Sequence, residues 1–423
     1  MKILIVNSYY YPEVIGGAEL SVKKLAEELV NFGHDVYVLC TSQNCDTQEI
    51  LNGVKVYRFK PCNFGRREDL QHVDFMNFNR VKRKFYADYL YKRRLIYFID
   101  LYNLFNWKKI NGLIKTIDPD VVHTNGLYEI TPVVWSIAKK NKKPIVHTLR
   151  DFYLLCIYGN LKRNGSIACD KANKRCQLRR KINKFMLRNV NIFTSPSNST
   201  KAIFSECRMN IDARTYVISN AIDFDKKELL EQYYKRMNNN VSNYLKIVFI
   251  GTLSDFKGIN FLIEEWGKIK SNNVELHIAG KGSLKEKVIS FCKEYSNAFY
   301  EGFLEENELI ELLKNCDVLV CPSLWNEPFG RIVLDAYKQV MPVISTGYGG
   351  LGEIIDDRET GFILDLKSEN PLLEAIRYYM NKDRYSYSLK KIVDKIQQYS
   401  INEQARRFQK IYMSVKNNDN RKK

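Results

Sequence analysis

The repeated alternation of short β-rich runs with helical patterns is the feature that most constrains how this chain can fold. The first unit is complete within 40 residues: a buried strand over residues 2–6, an amphipathic helix, a stop at Gly33 and a second strand over residues 35–40. The apolar residues of the helix recur at the spacing of one helix face, at Ala18, Val22, Leu25, Ala26, Leu29 and Val30. Strand–helix units of this kind predict parallel strands joined by right-handed crossovers.

A second series of such units begins after an Asn-rich stretch near residues 236–243. The further predicted strands are 54–59, 120–124, 143–149 and 191–194 in the first series, and 245–251, 274–280, 317–321 and 342–346 in the second. The chain is therefore predicted to be α/β, with two doubly wound, Rossmann-like domains over residues 1–220 and 221–423. The last segment, about 370–418, is expected to be helical, and its helices are candidates for packing back on the first domain.

Positive charge is concentrated in two segments of the first half. The chain has a net charge of +18; residues 80–109 carry nine basic and two acidic groups, and residues 162–188 carry ten and one. This distribution argues against a generally basic, nucleic-acid-binding surface and favours a local anionic partner. The mixture of basic and aromatic residues in 80–109 suits an anionic membrane surface. Packing of the aromatics on the first domain and single-stranded nucleic acid are the alternatives; we expect the membrane and no nucleic acid.

Signals for export or for crossing a membrane are missing from the sequence. Its start has only four consecutive apolar residues, and no apolar run approaches the ~18–20 residues of a spanning helix. Ten cysteines without an export signal are typical of reduced thiols. Cys156, Cys169 and Cys176 share one basic region, but their spacing is not that of a zinc site, so thiols are favoured over a metal site. We expect a cytoplasmic protein, peripheral at the inner face of the membrane.

Candidate site residues follow the predicted strands, because ligands of open α/β sheets bind beyond the carboxyl ends of strands. With two such domains, we expect the site in the cleft between them. The loop 251–258 places Lys257 at a helix start near Ile259, where its ammonium can meet a phosphate; an ordinary surface lysine is the alternative. Neither a P-loop nor the dinucleotide pattern Gly-x-Gly-x-x-Gly occurs, which argues against a nicotinamide or flavin enzyme.

The most informative segment is residues 322–335, which read PSLWNEPFGRIVLD. Glu327 is predicted in the loop after a strand, a helix is expected to begin near Phe329, and Asp335 lies about two turns along it. The free N–H groups of that helix start would attract an anion, and the two carboxylates suit sugar hydroxyls. A capping Glu327 and a solvated Asp335 are the alternative. Glycine clusters at 280–282 and 347–352 border the same cleft and permit close approach to a ligand.

Eight short motifs, in order along most of the chain, resemble those of the retaining glycosyltransferase family 4. They are Pro12 to Gly17-Ala18-Glu19, Val121-Val122-His123, Thr148-Leu149-Arg150-Asp151, Ile218-Ser219-Asn220-Ala221-Ile222-Asp223, Gly251 to Lys257-Gly258, Pro322-Ser323, Glu327-Pro328-Phe329-Gly330 and Gly349-Gly350. The resemblance implies the GT-B fold, in which two Rossmann-like domains face a central cleft. It also implies retaining transfer of a sugar from a nucleotide-sugar donor, a UDP- or GDP-sugar, to a glycan or lipid-linked acceptor in surface polysaccharide or glycolipid biosynthesis.

The same resemblance implies roles for individual residues, with no cofactor and no obligatory metal. Lys257 would hold the donor diphosphate, Glu327 would contact the donor sugar, and Asp335 would bind the ribose. The implied catalytic residues are Lys257, Glu327 and Arg150. The implied donor-binding residues are Gly16, Gly17, Thr252, Lys257, Glu327, Phe329, Gly330, Arg331 and Asp335. On the acceptor side, the candidates are His123 and Asn125.

Three positions depart from the pattern of the family. Asp335 stands where a second glutamate is expected, and Thr252 stands where an arginine is usual, with Arg331 as a candidate for compensation. Arg150 replaces the usual histidine and cannot act as a general base, so its role would be electrostatic. His147, inside a predicted strand, is expected to be structural. These departures support an alternative function, a catalytically weak, membrane-associated sugar-binding or partner subunit with the same fold.

Overall fold

The computed structural model describes residues 1–14, 16–42, 45–62, 102–156, 159, 161, 174–238, 241, 243–269, 271 and 273–420. Most of the basic aromatic segment 80–109 lies outside the described residues, so its predicted contact with a membrane is not addressed there. Cys169 also lies outside them, whereas Cys156 and Cys176 are buried. Among the described residues, no helix is both long enough and apolar enough to cross a bilayer.

Eight strands form the first sheet, in the order β3-β4-β2-β1-β5-β6-β7-β8. They are β1 Lys2–Val6, β2 Asp35–Thr41, β3 Thr47–Leu51, β4 Val54–Phe59, β5 Val121–Thr124, β6 Ile145–Thr148, β7 Ile192–Ser195 and β8 Thr215–Val217. All neighbours pair in parallel except β3 and β4, which are antiparallel. The described helices of this part are α1 Gly17–Asn31, α2 Trp107–Ile117, α3 Val133–Lys140, α4 Lys174–Met186 and α5 Asn198–Glu206.

Six parallel strands form the second sheet, in the order β11-β10-β9-β12-β13-β14. They are β9 Leu245–Ile250, β10 Val274–Ala279, β11 Ala298–Gly302, β12 Val318–Cys321, β13 Val343–Ser345 and β14 Gly361–Ile363. The described helices are α6 Lys226–Met237, α7 Ile259–Trp266, α8 Lys285–Glu294, α9 Glu306–Asn315, α10 Arg331–Lys338, α11 Leu351–Ile354, α12 Pro371–Tyr379, α13 Lys382–Ile396 and α14 Ile401–Asn420. The predicted α/β architecture of two doubly wound sheets is confirmed.

Both faces of the first sheet are buried, which explains the continuous apolar runs of its central strands. Side chains alternate across a strand, so Ile3 and Ile5 of β1 join one buried cluster and Leu4 and Val6 join another on the opposite face. The first of these clusters contains residues of both α1 and α14. Because the central strands are parallel, their carboxyl ends lie at one edge of the sheet, where the loops that follow them meet.

The last helix crosses from the second sheet to the first. Tyr412 of α14 shares a hydrogen bond of 2.7 Å with the Nδ1 atom of His123 on β5, and Gln404 donates to the carbonyl of Ser219. At the crossing, the Ile222 amide donates to the Tyr399 carbonyl at 2.9 Å. The predicted division at residue 220 falls between β8 and β9, and its position as a domain boundary stays a prediction.

Four strands, β3, β8, β11 and β14, were not predicted from the sequence. β3 is a polar edge strand with no buried residue, β11 buries only its first residue, and β8 and β14 have three residues each. Short or exposed strands lack the apolar pattern on which the prediction depends. The helix expected near Phe329 begins instead at Arg331, because Gly330 has a φ of 102° and cannot belong to a right-handed helix.

Candidate functional site

Lys257 and Glu327 meet at the carboxyl edge of the second sheet. They follow β9 and β12, which are neighbours in the sheet, so the two loops lie side by side. The Lys257 ammonium donates to Glu327 Oε1, and the Ser323 hydroxyl donates to the same oxygen at 2.8 Å. Glu327 is 7% exposed, and the Lys257 side chain is 26% exposed. The predicted lysine and glutamate are thus brought together, with the lysine open to the cleft.

The lysine loop, residues 251–258, is held in place by Gly258, which no other residue could replace without rearrangement. Residues Asp255–Lys257 form a single 3₁₀ turn, which ends at Gly258 with a φ of 81°. A Cβ atom on Gly258 would lie 1.9 Å from the carbonyl oxygen of Pro322. The close approach of the two backbones therefore fixes the position of Lys257 relative to the loop that contains Glu327.

The glutamate loop, residues 322–330 between β12 and α10, is contacted on its other side by the glycine cluster 347–352 that follows β13. The Gly350 amide donates to the Glu327 carbonyl at 2.7 Å, and Glu327 forms a parallel β-bridge with Gly349. A Cβ atom on Gly350 would lie 2.6 Å from the Cα atom of Phe329. The glycines thus serve first to bring two backbones together, and the backbone amides after Glu327 are held rigidly at the cleft.

Trp325, which sequence reasoning missed, lies two residues before the glutamate and spans the cleft. Its ring lies edge-on to Phe152 of the first half and to Phe256 of the lysine loop, with centroids 6.1 and 5.7 Å apart. The Lys257 ammonium lies 5.5 Å from the centre of the same ring. The signal in the sequence was a large aromatic residue in the loop between β12 and α10, which would have indicated a contact across the cleft. Its position orients Lys257 through a cation–π contact.

Two arginines, one from each domain, lie close enough to interact electrostatically. Arg331 opens α10 and its side chain is 12% exposed; its Nη2 donates to Asp335 at 3.3 Å. Arg150 follows β6 and is 9% exposed; it donates to Asn125 and to Asn220, each at 2.7 Å. Burial lowers the pKa of Arg150 to about 10, and the positive charge of Arg331 acts in the same direction. With a pKa of about 10, the Arg150 guanidinium remains charged at neutral pH.

Asp335 and the Gly16-Gly17 turn lie beside Arg331. A Cβ atom on Gly17, the first residue of α1, would lie 3.1 Å from Arg331 Cβ, so the first domain contacts the second directly there. Burial raises the pKa of Asp335, while the neighbouring Arg331 acts in the opposite direction. Asp335 is partly exposed and pairs with the arginine, whereas Glu327 pairs with the lysine, so the two predicted carboxylates have different partners. Thr252 is exposed in the lysine loop.

The two acceptor-side candidates are both buried at the carboxyl end of β5, a central strand of the first sheet. His123 is 0% exposed, and its ring nitrogens engage Thr148 and Tyr412 at 2.7 Å each. It has no nitrogen open to an acceptor, so the sequence interpretation is corrected to a structural role. Asn125 holds Arg150 through its oxygen. As expected, His147 is structural: it is buried, bonds Thr124, and burial lowers its pKa to about 3.

Several buried N–H donors near the cleft have no hydrogen-bond partner among the described residues. They are Nε and Nη1 of Arg331, Nδ2 of Asn125 and Nε1 of Trp325. Buried polar groups are nearly always bonded, so these unpaired donors call for an explanation. All four are donors, and two of them belong to a cation. A ligand that satisfied them would present many oxygen acceptors and negative charge.

Comparison with known proteins identifies relatives over nearly the whole chain. A family model described as Glycosyltransferase Family 4 matches residues 15–226, and one described as Glycosyl transferases group 1 matches residues 232–401. The uncharacterized 42.6 kDa protein in the cps region of Klebsiella pneumoniae is 29% identical over 84% of this chain and 87% of its own. The uncharacterized glycosyltransferase MJ1607 of Methanocaldococcus jannaschii is 27% identical over 85% of this chain and 84% of its own.

Solved structures with the same fold cover almost all of this chain. Alr3699/HepE of Anabaena, solved in complex with UDP and glucose, has a TM-score of 0.67 and 16% identity, covering 98% of this chain and 100% of that one. Sucrose-phosphate synthase from Thermosynechococcus elongatus has a TM-score of 0.68 and 18% identity, covering 98% of each chain. At these identities the likeness concerns the fold, and it confirms the predicted GT-B architecture.

Proposed function

Since this chain belongs to glycosyltransferase family 4, we propose that it transfers a hexosyl group from a UDP- or GDP-sugar to a glycan or lipid-linked acceptor, with retention of the anomeric configuration. The family places it among transferases that act on nucleotide sugars. A relative in a cps region supports a role in surface polysaccharide or glycolipid biosynthesis. A structural neighbour solved with UDP and glucose supports a UDP-sugar as one of the donors.

The observation that carries this proposal is the set of unpaired donors beside the Lys257–Glu327 pair. A diphosphate has the oxygens and the charge to satisfy Nε and Nη1 of Arg331. The Lys257 ammonium has three N–H donors, so it can hold Glu327 and a phosphate oxygen together. Gly17 lies against Arg331, and Gly16 and Gly17 would approach the same diphosphate. Asp335, which is partly exposed, would accept the ribose hydroxyls.

In the proposed transfer, the positive charges of Lys257 and Arg331 stabilise the departing diphosphate. As the bond between the anomeric carbon and the diphosphate oxygen breaks, negative charge develops on that oxygen, next to Lys257 and Arg331. The acceptor hydroxyl attacks the anomeric carbon from the same face, and its proton passes to the departing diphosphate. Glu327 and the backbone of Phe329 and Gly330 position the sugar. Arg150 contributes positive charge from the first domain, and we propose that side-chain cations serve where a metal would otherwise be needed.

The first domain is proposed to dock on an anionic membrane through the exposed face of α4. Exposed residues that alternate between basic and apolar recur at helical spacing along this face and into the 3₁₀ turn Leu187–Asn189 that follows it: Lys174, Leu178, Lys181, Phe185 and, in the turn, Arg188. Leu178 is 50% and Phe185 69% exposed, and the Arg188 guanidinium lies 5.6 Å from the Phe185 ring centre. Each basic residue near an anionic surface contributes about 1 kcal/mol. A lipid-linked acceptor would be presented at such a surface.

Vesicle binding tests the docking face separately from catalysis. Lys181→Glu with Phe185→Ala should abolish sedimentation with vesicles that contain anionic phospholipid. Leu230→Ala with Tyr234→Ala, a pair of exposed apolar residues on α6 of the other domain, is the matched control and should leave sedimentation unchanged. Equal binding by both variants would contradict the proposed face.

The catalytic proposal is tested by donor binding followed by transfer. Screening UDP- and GDP-sugars for thermal stabilisation identifies the donor, because a ligand that binds only the folded state raises the Tm. With that donor, Lys257→Met and Glu327→Gln should each lower kcat by roughly 10²–10³-fold. Lys268→Met, which breaks another Lys–Glu pair of the same domain, is the control. Donor binding without measurable transfer by the wild type would favour the sugar-binding partner subunit instead.

A further inference from the structure

A carboxylate of the second domain caps a helix of the first. Glu353, on the short helix α11, accepts hydrogen bonds from the amides of Asn198 and Ser199, at 2.8 and 2.6 Å, one to each carboxylate oxygen. The Asn198 side-chain amide donates to the same carboxylate at 3.0 Å. These amides are the first two of α5, which have no partner within the helix. A negative charge at this position is favourable both as an acceptor and through the helix dipole.

The same end of α5 also holds the backbone of the glutamate loop. The hydroxyl of Ser197 donates to the Pro328 carbonyl at 2.7 Å, and the hydroxyl of Thr200 donates to it at 3.1 Å. Both hydroxyls are buried: Ser197 is 1% and Thr200 0% exposed. Pro328 directly follows Glu327, so two side chains of the first domain are bonded one residue away from the proposed sugar-contacting carboxylate.

These contacts form one connected path between the domains. Glu353 follows the glycine cluster whose Gly350 amide holds the Glu327 carbonyl. The start of α5 thus contacts the glutamate loop directly at Pro328. It also contacts this loop indirectly, through Glu353, which follows the glycines that hold the Glu327 carbonyl. All five hydrogen bonds join the two domains, so separation of the domains would break every one of them.

We propose that Glu353 and the Ser197–Thr200 turn form an interdomain latch that positions the Glu327–Phe329 loop for transfer. The proposal rests on the proposed function in that Glu327 contacts the donor sugar. Ser197, Thr200 and Glu353 are positioning residues, because they act on the loop and touch neither the reacting sugar nor the diphosphate. The latch, formed in this structure, holds the glutamate in place, and a broken latch leaves the donor bound but badly oriented.

Amide hydrogen exchange tests the latch without any need for activity. In Glu353→Ala, exchange at the Asn198 and Ser199 amides should rise by about tenfold, an effect of the size produced by losing a helix cap. Glu286→Ala, an exposed glutamate in the first turn of α8, is the control and should change neither amide. Unchanged exchange in Glu353→Ala would overturn the proposal.

Steady-state kinetics with the donor found by screening tests the positioning role. Thr200→Val removes one bond to Pro328 while keeping the shape of the side chain. It should lower kcat by about tenfold with the donor Kd within about twofold, and Thr200→Ser should restore kcat. Raised exchange in Glu353→Ala together with normal kcat in both Glu353→Ala and Thr200→Val would overturn the positioning role. If wild-type protein transfers no sugar, the proposed function fails, whereas the exchange result still decides whether the latch exists.

Discussion

Replacing Arg331 with methionine should make the protein more stable and less active. Nε and Nη1 of this buried guanidinium have no partner, and it lies near the positive charge of Arg150. A buried donor left unsatisfied costs about 1–3 kcal/mol, and methionine fills a similar volume without that cost. After allowing for the lost bond to Asp335, which is partly exposed, the free energy of unfolding should rise by about 1–2 kcal/mol. For a domain of this size, the Tm should rise by about 2–8 °C.

The same substitution should weaken transfer, because the unpaired donors are the groups proposed to bind the diphosphate. Hydrogen bonds to charged groups contribute about 1.5–3 kcal/mol each. Two such bonds at the lower value correspond to a loss of about 100-fold in kcat/KM. Thermal unfolding of the free protein and steady-state transfer with the identified donor measure the two effects on one preparation.

Arg236 provides a matched control in the same domain. It is 2% exposed, and its guanidinium donates to the carbonyls of Gln339, Cys316 and Leu313. Arg236→Met strands three buried carbonyls and should destabilise the protein by about 3 kcal/mol or more. If Arg331→Met lowers the Tm as Arg236→Met does, or leaves kcat/KM unchanged, the assignment of Arg331 to the diphosphate is refuted.

Three further results are expected from the structure. Burial lowers the pKa of His147 to about 3, so between that value and about 6.5 the unfolded chain binds the additional proton. The free energy of unfolding should therefore fall by about 2 kcal/mol from this residue between pH 7 and pH 5, and urea titrations of His147→Gln should lack that part of the decrease. Gly350→Ala should lower kcat more than tenfold although its φ of −64° suits alanine, because the new Cβ would meet the Phe329 backbone; normal kcat would contradict this. Trp325→Leu should raise the donor KM several-fold, because Lys257 loses the ring that orients it. An unchanged KM would show that the cation–π contact does not orient Lys257.

The sequence was sufficient to predict the long buried strands, but not the weak edges of the sheets. β1 and β4 match their predicted bounds: β1 has four consecutive apolar residues after Lys2, and four of the six residues of β4 are apolar or aromatic. β3 and β8 owe their existence to a neighbouring strand that offers backbone hydrogen bonds, and this depends on the assembled sheet rather than on local preference.

For the site, the sequence located single loops but not their contacts across the cleft. Lys257 and Glu327 could both be assigned to the cleft in advance, because ligands bind beyond the carboxyl ends of strands, but the pairing of β9 with β12 that brings them together was not predicted. The contacts of Trp325 with Phe152, and of Glu353 with α5, depend on the relative position of the two domains, which no local periodicity encodes. Ser197 caps α5 by accepting a hydrogen bond from the Thr200 amide, but nothing in the sequence indicated that this helix end has a partner in the other domain.

The central claim, that the Lys257–Glu327 site transfers a sugar with retention, is tested most directly by following the reaction by NMR. The anomeric proton of the first-formed product, made by the wild-type protein from the identified donor and acceptor, reports its configuration before any later exchange. We expect the same configuration as in the donor, with Glu327→Gln forming this product at least 100-fold more slowly. A product of inverted configuration, or equal rates for the two proteins, would contradict the account.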